Sequence, residues 1–361
     1  MNLNNAFCVI LAGGKGRRLW PCSRQNAPKQ FDDFFGVGRT QLQQTYDRFL
    51  KLLPASHIYI ITNKNYLHFV EEQLPEVSPE NILAEPVHRN TIPSVAWASY
   101  RIMHQYPDAC ILISPSDQAV ENTEQFEADM LQALDRAEKV HGLVCIGVQP
   151  TRPEPGYGYI QMGEELEEGL YHVKSFAEKP EREFAKVFME SGEFYWNTGI
   201  FVAQIKFLLS CFDEILPEVL RHRVANEKFN SLEEEYEYME ENFPRYPNLS
   251  IERGILEPLN NVYLLPCKFG WADLGTWHSI YEAMQKAPDD NITINSDVQF
   301  ENAKGNVVKL SDGKFALISG LENFIVAEKD NVLLICPKED SSTSIRKYIN
   351  EVQLKKGDEY I

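Results

Sequence analysis

The stretch Phe7-Cys8-Val9-Ile10-Leu11-Ala12-Gly13-Gly14-Lys15-Gly16-Arg17-Arg18-Leu19-Trp20-Pro21 (FCVILAGGKGRRLWP) decides the fold. Phe7–Ala12 is an apolar run of the length of a buried strand, and it stops at a glycine pair. The runs His57–Thr62 (HIYIIT), Ala109–Ser114 (ACILIS) and Leu143–Val148 (LVCIGV) share its length, its β-branched content and its polar bounds. Between them Thr40–Leu53, Ile92–Tyr106 and Thr123–His141 are each long enough for three or more helical turns. Strand, helix, strand, repeated, predicts an α/β fold with a mostly parallel sheet covered by helices. Ligands of such sheets sit at the carboxyl ends of the strands, which is where Gly13 and Gly14 fall.

A glycine-rich turn leading from a strand into a helix lets backbone amides approach phosphate oxygens, and the helix N-terminus favours negative charge. Two familiar readings of this turn fail. It lacks the GxxxxGK[ST] of a P-loop, and Leu19 occupies the third glycine position of GxGxxG. Cationic density is what it has instead: Lys15, Arg17 and Arg18, followed by Arg24 and Lys29. Taken alone, such a turn is equally an ordinary structural one.

The rest of the composition limits what those cations serve. Lys plus Arg number 35 against 53 Asp plus Glu, a net charge of −18 on 361 residues. A chain this acidic is not expected to coat nucleic acid or an anionic membrane. An anionic small ligand is compatible with it if positive charge is concentrated at one site. Met1–Cys8 lacks the basic start of a signal peptide, and the apolar stretch Gly199–Phe212 is broken by Gln204 and Lys206. The seven cysteines are scattered and never form CxxC, so they are expected to be buried reduced thiols. The expectation is a soluble cytoplasmic protein.

After Pro150 the texture shifts. Gly156–Met162, Tyr171–Ala177 and Gly199–Ala203 suggest strands of a more mixed sheet, and Ser231–Glu241 (SLEEEYEYMEE) reads as an acidic helix with a solvated face. From Asn291 onward NVVKL, FALIS, FIVAE and VLLIC recur with turn signals SDGK and EKDN between them, a small all-β unit either coiled or sandwiched. Ser342–Leu354 is expected to close the chain as an amphipathic helix. The division expected is residues 1–288 and 289–361.

Continued past Pro21, the turn reads L-A-G-G-x-G-x-R-L-W-P-x-S-R-x-x-x-P-K-Q-F over Leu11–Phe31. This is similar to the signature of sugar-phosphate nucleotidyltransferases, and most closely to the mannose-1-phosphate guanylyltransferases. Further blocks match in order: Glu85-Pro86-Val87-His88-Arg89-Asn90-Thr91, Pro115-Ser116-Asp117, Gly156–Ile160, Phe176–Pro180, Tyr195–Phe201, Ser250-Ile251-Glu252 and Gly270–Trp277. The resemblance covers roughly three quarters of the chain. It implies a Rossmann-like mixed, mostly parallel sheet flanked by helices, of the nucleotide-diphospho-sugar transferase type. A small C-terminal β-rich domain, β-helical in one reading, would follow and could serve subunit contact in a homodimer. The chain would be the short form, without the phosphomannose isomerase domain that longer members carry.

The implied reaction joins GTP and α-D-mannose 1-phosphate into GDP-mannose and diphosphate. A phosphate monoester is already ionised at neutral pH, so the protein needs cations, positioning and a divalent metal more than a base. By resemblance Arg18 and Lys29 are catalytic, stabilising the triphosphate and the leaving diphosphate. Leu11, Ala12, Gly13, Gly14, Gly16, Glu85, Arg89 and Asn90 fall on the nucleotide side. Gly158, Glu178, Lys179 and Asn197 fall on the sugar-phosphate side, and Asp117 and Asp273 are the inferred Mg²⁺ carboxylates. Several positions depart from the family pattern: Arg17 for a small or polar residue, Gln118 for a histidine, Glu252 for an aspartate, and Arg253-Gly254-Ile255-Leu256 for the common Y-A-V-M. Rival readings are transfer to another sugar 1-phosphate such as a heptose, transfer from another nucleotide, and a catalytically silent nucleotide-sugar sensor. Retention of Arg18, Lys29, Asp117 and Asp273 speaks against the last.

Overall fold

A computed structural model of the chain describes residues 3–219, 229–339 and 341–361. The chain divides into two compact units: residues 1–14, 45–116 and 120–271 form the first, and residues 15–44, 117–119 and 272–361 the second. The boundary expected at 288/289 falls inside the second unit, because the signature turn and the segment around Asp117 belong with the C-terminal part.

The strands of the first unit are β1 (Ala6–Leu11), β2 (Ile58–Asn63), β3 (Ile82–Glu85) and β4 (Cys110–Pro115), then, beyond the short β5 (Gln118–Val120), β6 (Leu143–Val148), β7 (Gly158–Glu167), β8 (Leu170–Glu178), β9 (Phe194–Gln204) and β10 (Val262–Cys267). All except β5 form one sheet in the order β3-β2-β1-β4-β9-β6-β10-β8-β7. β1 pairs in parallel with β2 and β4, β2 with β3, and β6 with β10. β9 runs antiparallel between β4 and β6, and the β7–β8 hairpin adds antiparallel pairs. Ala6–Ile10 and all of β2 and β6 are buried, as strands covered on both faces must be. The sequence runs that looked alike are therefore the central strands. β3 and β10 escaped the sequence reading: ILAE is short, and VYLLPC carries a proline near its end that reads as a breaker.

The helices are α1 (Gln41–Leu50), α2 (Leu67–Gln73), α3 (Thr91–Met103), α4 (Thr123–Lys139), α5 (Arg182–Ser191), α6 (Ile205–Ile215), α7 (Leu232–Asn242), α8 (Trp277–Met284) and α9 (Ser341–Lys356). α3 is buried along almost its whole length, and its Trp97 joins Phe7, Ile111 and Phe212 in the principal core. The acidic helix α7 is not merely solvated. Its Glu235 is buried, accepts from Trp97 Nε1 at 2.5 Å and pairs with Arg101 Nε at 3.0 Å. Tyr236 of the same helix covers the outer edge of β3, its hydroxyl donating to Ile82 O at 2.8 Å and accepting from Ala84 N at 3.3 Å.

In the second unit β11 (Trp271–Asp273) leads into α8, and β5 and β11 pair as a short ribbon. Then follow β12 (Ile292–Ile294), β13 (Asp297–Glu301), β14 (Val307–Lys309), β15 (Phe315–Ser319), β16 (Phe324–Lys329) and β17 (Val332–Pro337). β12, β14 and β16 lie side by side in parallel, and β13 pairs in parallel with β15. The chain thus coils from one sheet to the other and back, which is the coiled alternative rather than the sandwich. Buried Asn306 fixes one corner of the coil: it donates to Asn291 Oδ1 and to Leu321 O, and accepts from Phe324 N. All seven cysteines are free and buried, as expected from their scatter.

Candidate active site

The glycine turn does not lead into an α-helix. After Gly14 the chain makes only two short 3-10 turns, Arg17–Leu19 and Lys29–Phe31, before the first α-helix begins at Gln41. The helix dipole expected behind the turn is missing, so positive charge there rests on side chains. Gly16 sits at φ +59°, and a Cβ on it would run into Ser23 Oγ and approach Lys29 Cγ to 3.2 Å. Only glycine permits both that backbone and that proximity. Ser23 Oγ in turn accepts from Lys29 N at 3.0 Å, which closes the loop and presents the lysine.

Lys29 is only 3 % exposed. Its Nζ donates to Leu274 O at 3.1 Å and pairs with Asp117 Oδ2 at 2.9 Å. Burial alone would raise the Asp117 carboxyl, but Lys29 and then Arg18 overcome it, and its pKa lies below the ordinary value. Gly275 shows where the other two partners lie: a Cβ on it would stand 2.7 Å from Asp273 Oδ1 and 2.8 Å from Arg18 Nη2. Arg18 and Lys29 of the signature turn, Asp117 and Asp273, predicted from three motifs in all, are gathered in the second unit. Two of the cations in the sequence cluster point elsewhere. Arg17 Nη2 donates to Gln25 Oε1 at 3.2 Å at the surface, and Arg24 is buried against carbonyls.

In the first unit Leu11 and Ala12 have backbone groups already engaged: Leu11 O accepts from Ser116 N, and Ala12 N donates to Ile61 O at 2.7 Å. They fix the start of the turn. Beneath Gly13 lies Glu85, 2 % exposed, with Oε2 3.3 Å from where a Cβ on Gly13 would stand. Burial pushes the Glu85 carboxyl up to about 8, partly offset by the Ser94 hydroxyl that donates to it. Asn90, at φ 63°, caps α3 by accepting from Thr91 N at 3.1 Å. Arg89 Nη2 donates to Pro244 O. Thr91 Oγ1 accepts from Ile251 N at 2.8 Å, which ties the Glu85–Thr91 block to the Ser250–Glu252 block.

On the sugar-side residues, a Cβ on Gly158 would stand 3.0 Å from Glu178 Oε2 and 3.5 Å from Asn197 Cβ. The three motifs that supply them, on β7, β8 and β9, therefore meet at one bare stretch of backbone. Lys179 pairs with Glu178, and both side chains are substantially exposed. Asn197 Oδ1 accepts from Gly199 N at 3.0 Å, which sets its side chain. Glu252 opens a π-helical turn, Glu252–Leu256; burial raises its carboxyl, Glu178 adds to that, and Lys179 opposes it. Trp196 and Trp271 are packed with Tyr157 edge-on at 5.2 and 4.9 Å, so they are walls. Ser23, Ser94, Thr91 and Tyr157 were not singled out as supports, because only the fold reveals what a hydroxyl faces.

Among the described residues no cluster of three or more His, Cys, Asp or Glu side chains is assembled to hold a metal. Two carboxylates, one held ionised by its neighbours, suit a hard cation that draws its remaining ligands from phosphate and water.

Residues 7–290 match the nucleotidyl transferase family, and the chain belongs to that family. Within it, the chain is 31% identical to a mannose-1-phosphate guanylyltransferase of Escherichia coli over 360 residues, 98% of this chain and 75% of that protein. It is 32% identical over 343 residues to the alginate biosynthesis protein AlgA of Pseudomonas putida, covering 92% of this chain and 68% of the relative. A solved structure from Thermus thermophilus, described as a mannose-1-phosphate geranyltransferase, superposes with a TM-score of 0.83 over 97% of this chain and 99% of its own, at 25% identity.

Proposed function

We propose that the protein is a mannose-1-phosphate guanylyltransferase. A phosphate oxygen of α-D-mannose 1-phosphate attacks the α-phosphorus of GTP, the bond to the bridging oxygen breaks, and diphosphate leaves in line with GDP-mannose as the other product. The electron pair passes to the diphosphate, and no proton need be removed from the nucleophile. The observation that carries this reading is the gathering of Arg18, Lys29, Asp117 and Asp273 in a chain whose relatives carry that activity.

Arg18 and Lys29 hold the triphosphate and meet the charge that grows on the leaving group. Asp117 and Asp273 would hold Mg²⁺, which when bound neutralises and orients the phosphates. Gly13, Gly14 and Gly16 shape the loop around the triphosphate, anchored by Leu11 and Ala12. Glu85, Arg89 and Asn90 serve the base and ribose side, Asn90 by holding its loop at positive φ. Glu178 accepts from sugar hydroxyls, Lys179 takes the sugar's phosphate, and Gly158 and Asn197 shape the space for the hexose. Glu252, a longer acid than the aspartate usual there, would bear on hexose preference.

We read the large sheet as Rossmann-like and the C-terminal coil as β-helical. The protein is assigned to the cytoplasm, and no helix among the described residues is long and apolar enough to cross a membrane. We assign a homodimer to the outer face of the coil, where Phe315, Leu317, Leu333 and Ile335 are each more than half exposed.

The test is diphosphate release with Mg²⁺, crossing GTP, ATP, UTP and dTTP against mannose, glucose, fucose and heptose 1-phosphates. Release with GTP and mannose 1-phosphate alone is expected. Release with a different pair overturns the substrate assignment, and silence with every pair favours a nucleotide-sugar sensor. Asp273→Asn is expected to raise the Mg²⁺ concentration giving half-maximal rate about tenfold or more; an unchanged Mg²⁺ titration removes Asp273 from the metal.

A further inference from the structure

Arg24 stands in the sequence as one more cation for a polyphosphate, but the structure uses it differently. It is 5 % exposed, and its Nε donates to Pro21 O at 3.2 Å. Its Nη2 donates to Lys329 O at 2.6 Å and to Asp330 O at 3.2 Å. These carbonyls belong to the hairpin between β16 and β17, whose two central residues, Asp330 and Asn331, both have positive φ, 47° and 65°. Such two-residue turns match the twist of the flanking strands and hold their shape, so the acceptors are fixed points.

What Arg24 fastens there is the segment that delivers Lys29. Arg24 N donates to Ala27 O and Ala27 N to Arg24 O, both at 3.2 Å, so residues 24–27 form a closed turn. Pro28 follows with its fixed φ, and Lys29 N is caught by Ser23 Oγ at 3.0 Å. Other ties run the same way. Trp20 Nε1 donates to Tyr360 O at 2.6 Å, Lys329 pairs with Asp32 at 2.7 Å, and Lys309 Nζ donates to Phe34 O at 2.7 Å. Residues 20–34 are therefore bonded at several points to the C-terminal β-rich segment and its final residues. Two of these contacts, the Arg24 guanidinium and the Lys329–Asp32 pair, join the hairpin to the segment that carries the lysine, and the guanidinium is the more buried of the two.

We propose that Arg24 is a positioning residue for Lys29: its guanidinium clamps the signature turn to the β16–β17 hairpin, and the C-terminal β-rich segment thereby sets where the lysine stands for nucleotidyl transfer. The proposal rests on the assignment of Lys29 to the triphosphate. It gives the C-terminal segment a part in the chemistry that is separate from subunit contact. The planar fork matters as well as the charge, because Nε reaches a carbonyl of the signature segment while Nη2 reaches two of the hairpin, and an ammonium cannot reproduce that geometry. A displacement of about 1 Å in a group that positions reacting atoms costs on the order of 10²-fold in rate.

The experiment compares full-length wild type, Arg24→Lys, Arg24→Ala and Lys29→Met in steady-state kinetics with GTP, mannose 1-phosphate and Mg²⁺. Arg24→Lys is expected to lower kcat about tenfold to a hundredfold while KM for mannose 1-phosphate stays within about twofold. Added methylguanidine is expected to restore part of the kcat of Arg24→Ala and none of that of Lys29→Met. A kcat for Arg24→Lys within twofold of wild type overturns the clamp, as does a loss in Arg24→Ala that methylguanidine leaves untouched. Should Arg24→Ala fail to fold, Arg24→Lys decides by its split between kcat and KM. Wild-type kcat in Lys29→Met removes the lysine assignment and the clamp with it. Loss in Lys29→Met with none in Arg24→Lys overturns the clamp alone.

Discussion

Around Lys29 in the second unit and Gly158 in the first, charge is handled in opposite ways. In the second, Lys29 is buried, its amine fixed between Leu274 O and Asp117, and its segment is laced to the C-terminal strands. In the first, Glu178 and Lys179 stand exposed beside the bare backbone of Gly158. A group that must meet charge developing in a transition state gains from being held before the substrate arrives, because no reorganisation remains to be done. A group that recognises hydroxyls gains from staying solvated and exchanging water for sugar. Under the proposed function, the difference would separate the machinery of transfer from the machinery of selection.

The largest expected effect is therefore on the held side. Lys29→Met should lower kcat by about 10³-fold, because it removes a charged donor and leaves the Asp117 carboxylate without its nearest cation. Steady-state kinetics at saturating Mg²⁺ checks it, and a loss seen only in KM for GTP would mean that Lys29 binds the ground state and transition state alike.

The same contrast explains what could be read from the sequence. Central strands β1, β2, β4 and β6 were legible because burial on both faces writes a continuous apolar run. The candidate residues were legible as motifs, each with its chemistry on its face. What each residue is bonded to was not legible. Arg24 counted as a phosphate cation until its carbonyl partners, some 300 positions away in the chain, were in view. Glu235 lay inside an acidic run that pattern alone assigns to solvent, yet it answers Arg101 and Trp97 in the core. The tie of residues 15–44 to the C-terminal segment was not legible for the same reason, since pairing between distant segments carries no local periodicity.

The second effect falls on Glu85, a buried acid of the first unit whose carboxyl is pushed up to about 8. A carboxyl raised on folding binds its proton more tightly in the native state, so its contribution is fully present below about pH 4.5 and is lost as pH rises through about 8. Glu85→Gln should flatten that decline and leave the variant more stable than wild type at pH 8.5, on the order of 2 kcal/mol. Urea midpoints at pH 5.5 and 8.5 test it. Parallel declines in both proteins would show that Glu85 is already ionised in the fold. On the exposed side, Glu178→Gln should raise KM for mannose 1-phosphate about tenfold with KM for GTP within twofold, since a neutral amide accepts sugar hydroxyls less strongly. Equal changes in both constants would break the division between transfer and selection.

The smallest expected effect is the sharpest check on how position decides role. Arg17 and Arg18 are neighbours with the same side chain on the same 3-10 turn. Arg18 is directed at Gly275 and Asp273, and its charge reaches Asp117. Arg17 is turned the other way, toward Gln25 at the surface. Exposed polar pairs of that kind contribute little, so Arg17→Ala should leave kcat and both KM values within about twofold of wild type. Arg18→Ala should cost about 10² to 10³ in kcat. Side-by-side kinetics of the two variants at low and moderate ionic strength makes the comparison complete. A loss in Arg17→Ala that fades with added salt would mean that the whole turn acts as a diffuse positive field. A salt-independent loss confined to Arg18→Ala would mean that one guanidinium, held at one place, does the work.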